Sequence, residues 1–277
     1  MSRLTRSLSS EARKVRSTKL WWILAIVLAG YSAFMGALFA FMFSALGDAM
    51  DGSGVSLPAQ ETASMVYASV STFGYVIPLL FGALMATGEI RHHTLGLAFT
   101  LEPKRGVVLA SKSMVLLVVG LLIGLAGLIG AVGAGAPILA ATGGDPMLGS
   151  AETWLLIIRV LVAISLWALI GFGIGVLVRN QAFAIVLALV FTQFLEPVLR
   201  MGAQFWEWSA QFAKFLPGAA TDAFVGASVM GSLSAIDPTA PETTSELGIW
   251  TGLLVLAAYA AIALLAGWLL RWRRDVV

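Results

Sequence analysis

Six long apolar stretches constrain this chain more than any other feature. Each reaches the roughly 20 residues that an α-helix needs to cross the hydrocarbon core of a bilayer. We place them near 20–46, 65–88, 107–141, 153–178, 182–202 and 247–270. Only 12% of the residues are charged and 59% are hydrophobic, which leaves too little polar surface for a soluble domain. The sequence therefore predicts an all-α integral membrane protein, with one transmembrane domain of six helices over residues 1–277.

The charged residues between these stretches divide by sign. Most of the 17 Lys and Arg residues precede the first stretch, separate the second from the third, or follow the sixth. The connections on the other side carry most of the acidic residues. Under the positive-inside rule the basic side is cytoplasmic. We therefore expect a multi-pass protein of the cytoplasmic (inner) cell membrane, with both termini in the cytoplasm.

Residues 1–19 have the pattern of an amphipathic helix. Leu4, Leu8, Ala12 and Val15 follow helical spacing, with basic residues between them. Such a helix lies on the inner leaflet and is attracted to anionic lipid. The alternative is a disordered basic leader that only sets orientation. The apolar run that follows is longer than the roughly 7–15 residues of a signal-peptide core, so we expect it to be retained as the first span.

Glycines are frequent in the third and fourth stretches. Small residues three and four positions apart let helix backbones approach closely in lipid. We expect them to pack helices within the chain, and the alternative is a seam between two copies. The glycines concerned are Gly120, Gly124, Gly127, Gly130, Gly133, Gly135, Gly171, Gly173 and Gly175.

The segment 203–246 is apolar and aromatic at first but too interrupted to span a bilayer. Pro217 and Gly218 break it in the middle, and residues 236–246 form a linker rich in Pro, Thr and Glu. We predict two short re-entrant helices on the outer side, which require cover from the rest of the protein. The alternative is a surface cap that lies flat on the headgroups.

The chain offers little for catalysis. It has no GxxxxGK[ST] phosphate-binding loop, no HExxH motif and no cysteine. Its two histidines, His92 and His93, are adjacent, and on a helix they would point about 100° apart, which makes them a poor metal pair. We therefore expect no catalytic residue, no metal site and no cofactor held by this chain.

Arg159, Glu196 and Arg200 are ionisable residues near the outer ends of the fourth and fifth spans. Glu196 and Arg200 are four residues apart and could pair on one helix face, or Arg159 could pair with Glu196 across helices. Ionisable groups at this depth are candidates for function. They are either a structural pair or the latch of an outer gate.

The connection 88–106 is more than an orientation-setting loop. Between its charged ends, Thr94 to Leu101 is apolar and too short to cross the membrane. We predict a short cytoplasmic coupling helix here, between the second and third spans. Apolar residues exposed on a cytoplasmic elbow indicate a docking surface for another protein.

Four segments together resemble the ABC-2-type exporter permeases. The elbow matches that family at Gly88, Glu89, Thr94, Leu95, Pro103, Arg105 and Lys112, and departs from it at His93, where the pattern has glycine. The stretches 11-EARKVRSTKLWW-22, 171-GFGIGVLVRNQAFAIVLAL-189 and 215-FLPGAATDAF-224 are also similar to the family.

The resemblance implies the transmembrane subunit of an ATP-driven exporter. A separate ATPase would bind ATP and magnesium and push on the elbow, and a second permease, identical or a sister chain, would complete the transporter. Segment 203–230 would be the outer gate, and we expect Pro217 and Gly218 to belong to it. The residues expected to couple to the ATPase are Glu89, Arg91, His92, His93, Thr94, Pro103, Lys104 and Arg105.

We expect the substrate path to run along the second and fifth spans. Its candidate residues are Phe73, Tyr75, Phe191, Gln193 and Phe194. An apolar, aromatic path suits a hydrophobic or amphipathic substrate such as a drug, an antibiotic or a lipid. We expect membrane lipid as a partner and no nucleic acid.

Two other classes compete with this hypothesis. An ion-coupled secondary transporter would use Glu196 as a proton or sodium site. Against it, the middle layer of the membrane has no acid, and the sequence has no obvious inverted repeat with helices broken at the midplane, which such transporters have. A non-transporting sensor or immunity protein would share the fold without carrying cargo. Only the exporter should lose ATPase stimulation when the charge of Glu89 is reversed.

Overall fold

A computed structural model of the chain describes residues 3–50, 58–92, 96, 100, 102, 104–178, 180–203, 207–227 and 247–272. Residues 45–50, 207–208 and 271–272 are described by their backbone alone. All regular structure in these ranges is helical. Six helical segments are long and apolar enough to cross a membrane: Leu20–Ser44, Ala59–Arg91, Arg105–Ala141, Ala151–Val178, Gln181–Gly202 and Ile249–Leu270. The prediction of an all-α membrane protein with six spans is confirmed.

The described α-helices are α1 (Arg3–Ser17), α2 (Leu20–Met50), α3 (Ala59–Thr72), α4 (Val76–Arg91), α5 (Arg105–Ala141), α6 (Ala151–Val178), α7 (Gln181–Val190), α8 (Glu196–Gly202), α9 (Glu207–Ala213), α10 (Pro217–Val225) and α11 (Ile249–Gly267). Spans one, three and four are α2, α5 and α6, and the sixth is α11 continued by a π-helical turn, Trp268–Trp272. The second span consists of α3 and α4, and the fifth of α7 and α8 with a π-helical turn, Phe191–Leu195, between them.

Glycines bring the central helices into close contact. A Cβ atom on Gly82 of α4 would collide with the carbonyl oxygen of Ala168 on α6, and one on Gly171 would collide with that of Leu79. On α5, Gly120 lies against Ser165 in the same way. Packing within the chain therefore accounts for Gly120 and Gly171, as expected from their spacing, whereas a Cβ atom on Gly133 would meet nothing within 4 Å.

The second span is broken, which corrects our expectation that no span would be. Helix α3 ends at Thr72 and α4 begins at Val76. Pro78 has no N–H to donate to the carbonyl of Gly74, and in a continuous helix its ring would collide with that carbonyl. The break is also tightly packed, because a side chain at Gly74 would meet Leu28.

The fifth span is irregular for a similar reason. The N–H of Glu196 donates to the carbonyl of Phe191, five residues back, instead of to that of Thr192. The next residue is Pro197, which has no N–H at all. The carbonyl of Thr192 is thus left for a partner outside its own helix.

Helix α1 forms as predicted, but its apolar side faces protein. It packs against α5, and Glu11 and Val15 are both buried. Leu4, Leu8 and Ala12 are half-buried. The apolar side is therefore used for docking to the bundle.

The segment after the fifth span forms two short helices, and the second starts where its proline predicts. Pro217 opens α10, since a proline at the first turn of a helix sacrifices no hydrogen bond, and Gly226 ends it with φ of 80°. Nearly all of α10 is buried, against α3, α6 and α11. This burial excludes a flat surface cap for α10 and provides the cover that re-entrant backbone needs.

Candidate functional site

A buried ammonium group joins three helices at one end of the bundle, which we call the α1 end. Lys112, in the second turn of α5, is 4% exposed and lies between two carboxylates. Its Nζ is 2.8 Å from Oε2 of Glu11 on α1, and it also bonds Oε1 of Glu89 in the last turn of α4. A buried charge needs such pairing, because its desolvation is costly.

Lys14 completes this cluster from α1. Its Nζ lies 2.8 Å from Oε1 of Glu11 and 3.5 Å from Oε1 of Glu89. Beside the cluster, the hydroxyls of Ser7 and Ser111 are hydrogen-bonded at 2.7 Å. We call Glu11, Lys14, Glu89 and Lys112 the charge cluster. It fixes α1 to the two spans that flank the elbow.

The charge cluster shifts the pKa values of its two residues on α1, Glu11 and Lys14. Burial raises the pKa of the Glu11 carboxyl, but the charges of Lys112 and Lys14 and their hydrogen bonds outweigh it, and the net pKa is lowered. Burial lowers the pKa of Lys14, but the charges and hydrogen bonds of Glu11 and Glu89 outweigh this effect, and the net pKa is raised above that of an ordinary lysine. Both groups are therefore ionised when α1 is docked near neutral pH.

The residues expected to couple to the ATPase differ in their exposure at the α1 end. Arg91 and His92 are exposed, and the guanidinium of Arg91 donates to Oε1 of Gln181 at the start of α7, 3.3 Å away. Lys104 is exposed immediately before α5, and Arg105 begins that helix. Glu89, in contrast, turns inward to Lys112, whereas we expected it on the outer surface of the elbow. His93, Thr94 and Pro103 lie outside the described residues.

A second polar cluster lies at the opposite end of the bundle, the α10 end. Glu196 is 1% exposed, and its Oε1 accepts a hydrogen bond from the N–H of Gly218 at the start of α10. A carboxylate at a helix N-terminus satisfies free N–H groups and complements the helix dipole. Glu196 Oε2 has no hydrogen-bond partner among the described residues. Glu196 thus caps α10 from the fifth span.

Both pairings that we predicted for the charged residues of the spans are wrong. Arg200 pairs with Asp222 of α10, with 2.6 Å between Nη2 and Oδ2, and Thr72 donates to the other oxygen of Asp222 at 3.3 Å. The guanidinium of Arg159 contacts the carbonyl of Val225 at 3.5 Å. The acidic partner of Arg200 lies 22 residues away in sequence, on a helix whose position the sequence does not fix.

Aromatic and hydroxyl groups connect this cluster to the break in the second span. The indole N–H of Trp167 on α6 donates to Thr221 at 3.0 Å, and the Trp167 ring stacks on Tyr75 with 4.4 Å between centroids. The hydroxyl of Tyr75 donates to the carbonyl of Thr192 at 3.1 Å. The Thr192 carbonyl, which the π turn leaves without a partner in its own helix, is therefore bonded by a residue of the break in the second span.

The five expected path residues do not come together. Tyr75 is buried in the core, and Phe73 stacks on Phe39 of α2 with 5.7 Å between centroids. Phe191 is half-buried, whereas Gln193 and Phe194 lie on the exposed surface of the fifth span. These positions are compatible with a path only along the outer side of that span.

Sequence reasoning assigned no role to several residues of the two clusters. Glu11 had a visible signal, since it is the one acid among the basic residues of 1–19 and lies four positions before Val15. No sequence signal marked Asp222 or Thr192, because their partners lie on helices that are distant in sequence.

A family model described as ABC-2 family transporter protein matches residues 7–194. The chain belongs to this family. The match spans more than half of the chain, from α1 to the π turn of the fifth span, and it includes the whole charge cluster. A comparison with curated proteins found no match. As a member of the ABC-2 family the chain is a multi-pass membrane component of a transporter, which agrees with its six apolar spans.

Proposed function

We propose that this chain is the transmembrane permease subunit of an ATP-driven exporter, with its α1 end in the cytoplasm. The observation that carries the proposal is the charge cluster, which ties the ends of the second and third spans to α1 within the region that matches the ABC-2 family. A separate ATPase would bind ATP and magnesium and press on the elbow between these spans. The chain itself would catalyse no reaction.

A continuous set of contacts would carry this push to the α10 end. Helix α4 runs from Glu89 to the break in the second span, where Tyr75 bonds Thr192 of the fifth span. One turn further, Glu196 caps α10. Motion of α4 would therefore act on α10, which we propose as the outer gate. ATP would act by binding one conformation more tightly than the other.

The exposed surface of the fifth span supports a second permease beside this one. Gln193 is exposed there next to Phe194, which is 67% exposed. A polar amide facing lipid is costly unless a partner or water satisfies it. We propose that a second copy or a sister chain covers this surface, and that a hydrophobic or amphipathic substrate moves outward between the two permeases.

Isolation of the chain in mild detergent from its host's inner membrane, followed by mass spectrometry, tests the proposal. We expect an ATPase with a Walker motif in stoichiometric amount. The Glu89→Lys variant, which places a third ammonium beside Lys14 and Lys112, should lose the ATPase or its stimulation. Glu102→Lys is the matched control in the same connection. A clean preparation without any ATPase would contradict the exporter proposal.

An ion-coupled transporter is the second candidate, and the broken second span favours it. Such transporters bind ions at interrupted helices, and Glu196 has a buried oxygen without a partner among the described residues. If the isolated chain carries no ATPase, ion-driven uptake in vesicles should be present and should be lost in Glu196→Gln.

A further inference from the structure

Helix α1 has two chemically different sides. One side docks on the bundle through Glu11 and Val15, which are both buried. The opposite side exposes Arg6, Arg13 and Arg16. Glu11 is the one acid in residues 1–19, and it is occupied by Lys14 and Lys112. The charged residues on the exposed side of α1 are therefore all basic.

The position of α1 relative to the first span is fixed by a short connection. Helix α1 ends at Ser17, where the N–H and the hydroxyl of Thr18 both bond the carbonyl of Val15, and α2 begins at Leu20. Two residues extend over about 7 Å at most. The first span then opens with Trp21 and Trp22, and tryptophans concentrate where a span meets the headgroups. Helix α1 is thus held at headgroup depth.

We propose that the arginine side of α1 binds the phosphate groups of anionic phospholipids while the opposite side remains docked on α5. Arginine forms bidentate hydrogen bonds with phosphate oxygens, and Arg6, Arg13 and Arg16 recur at spacings that keep them on one side of the helix. The depth of α1 favours lipid over an acidic protein surface, because headgroups are the anions present at that level. This binding goes beyond the proposed exporter function and needs no ATPase.

Energy transfer to labelled lipid tests the proposal directly. The chain has no cysteine, so Ser17→Cys, at the exposed end of α1, gives a single site for a donor dye. The full chain is placed in phosphatidylcholine nanodiscs with a trace of acceptor-labelled phosphatidylglycerol or, separately, acceptor-labelled phosphatidylcholine. We expect more transfer to the phosphatidylglycerol probe, and the excess should fall as salt is added.

Matched variants separate binding by these arginines from a general attraction of the basic end. We expect Arg13→Gln to weaken the preference for phosphatidylglycerol about fivefold, and the triple variant Arg6→Gln, Arg13→Gln, Arg16→Gln to abolish it. Arg13→Lys should retain most of it, and Lys104→Gln, which removes an exposed charge outside α1, should leave it unchanged. Retained gel-filtration behaviour would show that the variants are folded.

Three results would overturn the proposal. Equal transfer to both probes in the unmodified chain would show that α1 has no preference for anionic lipid. If the triple variant still transfers more energy to the phosphatidylglycerol probe than to the phosphatidylcholine probe, residues other than these arginines cause the preference for anionic lipid. Equal transfer together with loss of the ATPase from the triple variant in the isolation experiment would assign the arginine side to the ATPase instead. Because the lipid test contains no ATPase, its failure would leave the exporter proposal intact.

Discussion

The hydroxyl of Tyr75 donates a hydrogen bond to the carbonyl of Thr192 over 3.1 Å. Tyr75 is the last residue of the break in the second span, and Thr192 lies in the π turn of the fifth. Each irregularity has a proline beside it, Pro78 in one case and Pro197 in the other. A single side chain therefore joins the break in the second span to the π turn in the fifth.

Replacing Tyr75 with phenylalanine isolates this hydrogen bond. The ring can still stack on Trp167, but the carbonyl of Thr192 loses its partner in the protein interior. We expect a loss of about 2 kcal/mol in stability, seen as a lower midpoint of thermal aggregation in detergent. Tyr259→Phe is the control, because the Tyr259 hydroxyl makes no hydrogen bond among the described residues. Equal midpoints for the two variants would show that the Tyr75 hydroxyl does not stabilise the bundle.

Lys112 should be the least replaceable member of the charge cluster. Lys112→Met removes the buried ammonium that Glu11 and Glu89 share, although Lys14 still contacts both carboxylates. We expect this loss to cost roughly 3 kcal/mol. Glu89→Gln should cost less, because Lys112 keeps Glu11. The exposed Lys104→Met is the control and should change the midpoint very little. If Lys112→Met and Lys104→Met unfold alike, the cluster does not hold the three helices together.

Docking of α1 should depend on pH through Glu11. Its pKa is below 4.5 when docked, since Lys112 and Lys14 outweigh the effect of burial, and returns to its ordinary value when α1 is released. The stabilisation of α1 docking by Glu11 is complete above about pH 4.5 and is lost as the pH falls through the pKa that Glu11 has in the docked state. Lys14, whose pKa is raised above 10.5, contributes fully below that pH and is lost as the pH rises through its docked value.

A nitroxide on Ser17→Cys would follow this release as increased mobility. We expect constant mobility between about pH 5 and pH 10, and an increase at more acidic pH. In a Glu11→Gln background the acid step attributed to Glu11 should disappear. A titration that is the same in both backgrounds would contradict the role given to Glu11.

Gly218 should tolerate no side chain. A Cβ atom there would lie 2.5 Å from Oε1 and 2.9 Å from Cδ of Glu196, so Gly218→Ala displaces the cap of α10. We expect a loss of about 2 kcal/mol and faster proteolysis of the segment around α10. Gly202→Ala in α8 is the control, because nothing lies within 4 Å of a Cβ at that position. Resistance of Gly218→Ala to protease equal to that control would mean that Glu196 does not secure α10.

The sequence predicts those parts of this molecule that depend on local chemistry. Span number follows from apolar length, and the start of α10 follows from Pro217. Pro78 carried the same kind of signal for the break in the second span, but the apolar run around it concealed the interruption. The position of Pro78 therefore indicated the break, although our prediction did not include it.

The charged contacts were not predictable in the same way. Arg200 has Glu196 one turn away on its own helix, yet it pairs with Asp222 of α10, whereas Glu196 caps the start of that helix. Glu89 belongs to a residue type that is usually found on the surface. It turns inward because Lys112 of the third span lies beside it. Such choices are made by tertiary packing, and a single sequence does not record them.

A cross-link from the elbow tests the central claim most directly. The chain lacks cysteine, so His92→Cys at the α1 end and Glu152→Cys at the other end each provide one exposed site for a photoreactive group in native membranes. We predict that residue 92, and not residue 152, forms an adduct that mass spectrometry identifies as an ATPase with a Walker motif. Adducts of residue 92 that contain no ATPase, with the chain intact and folded, would contradict the account.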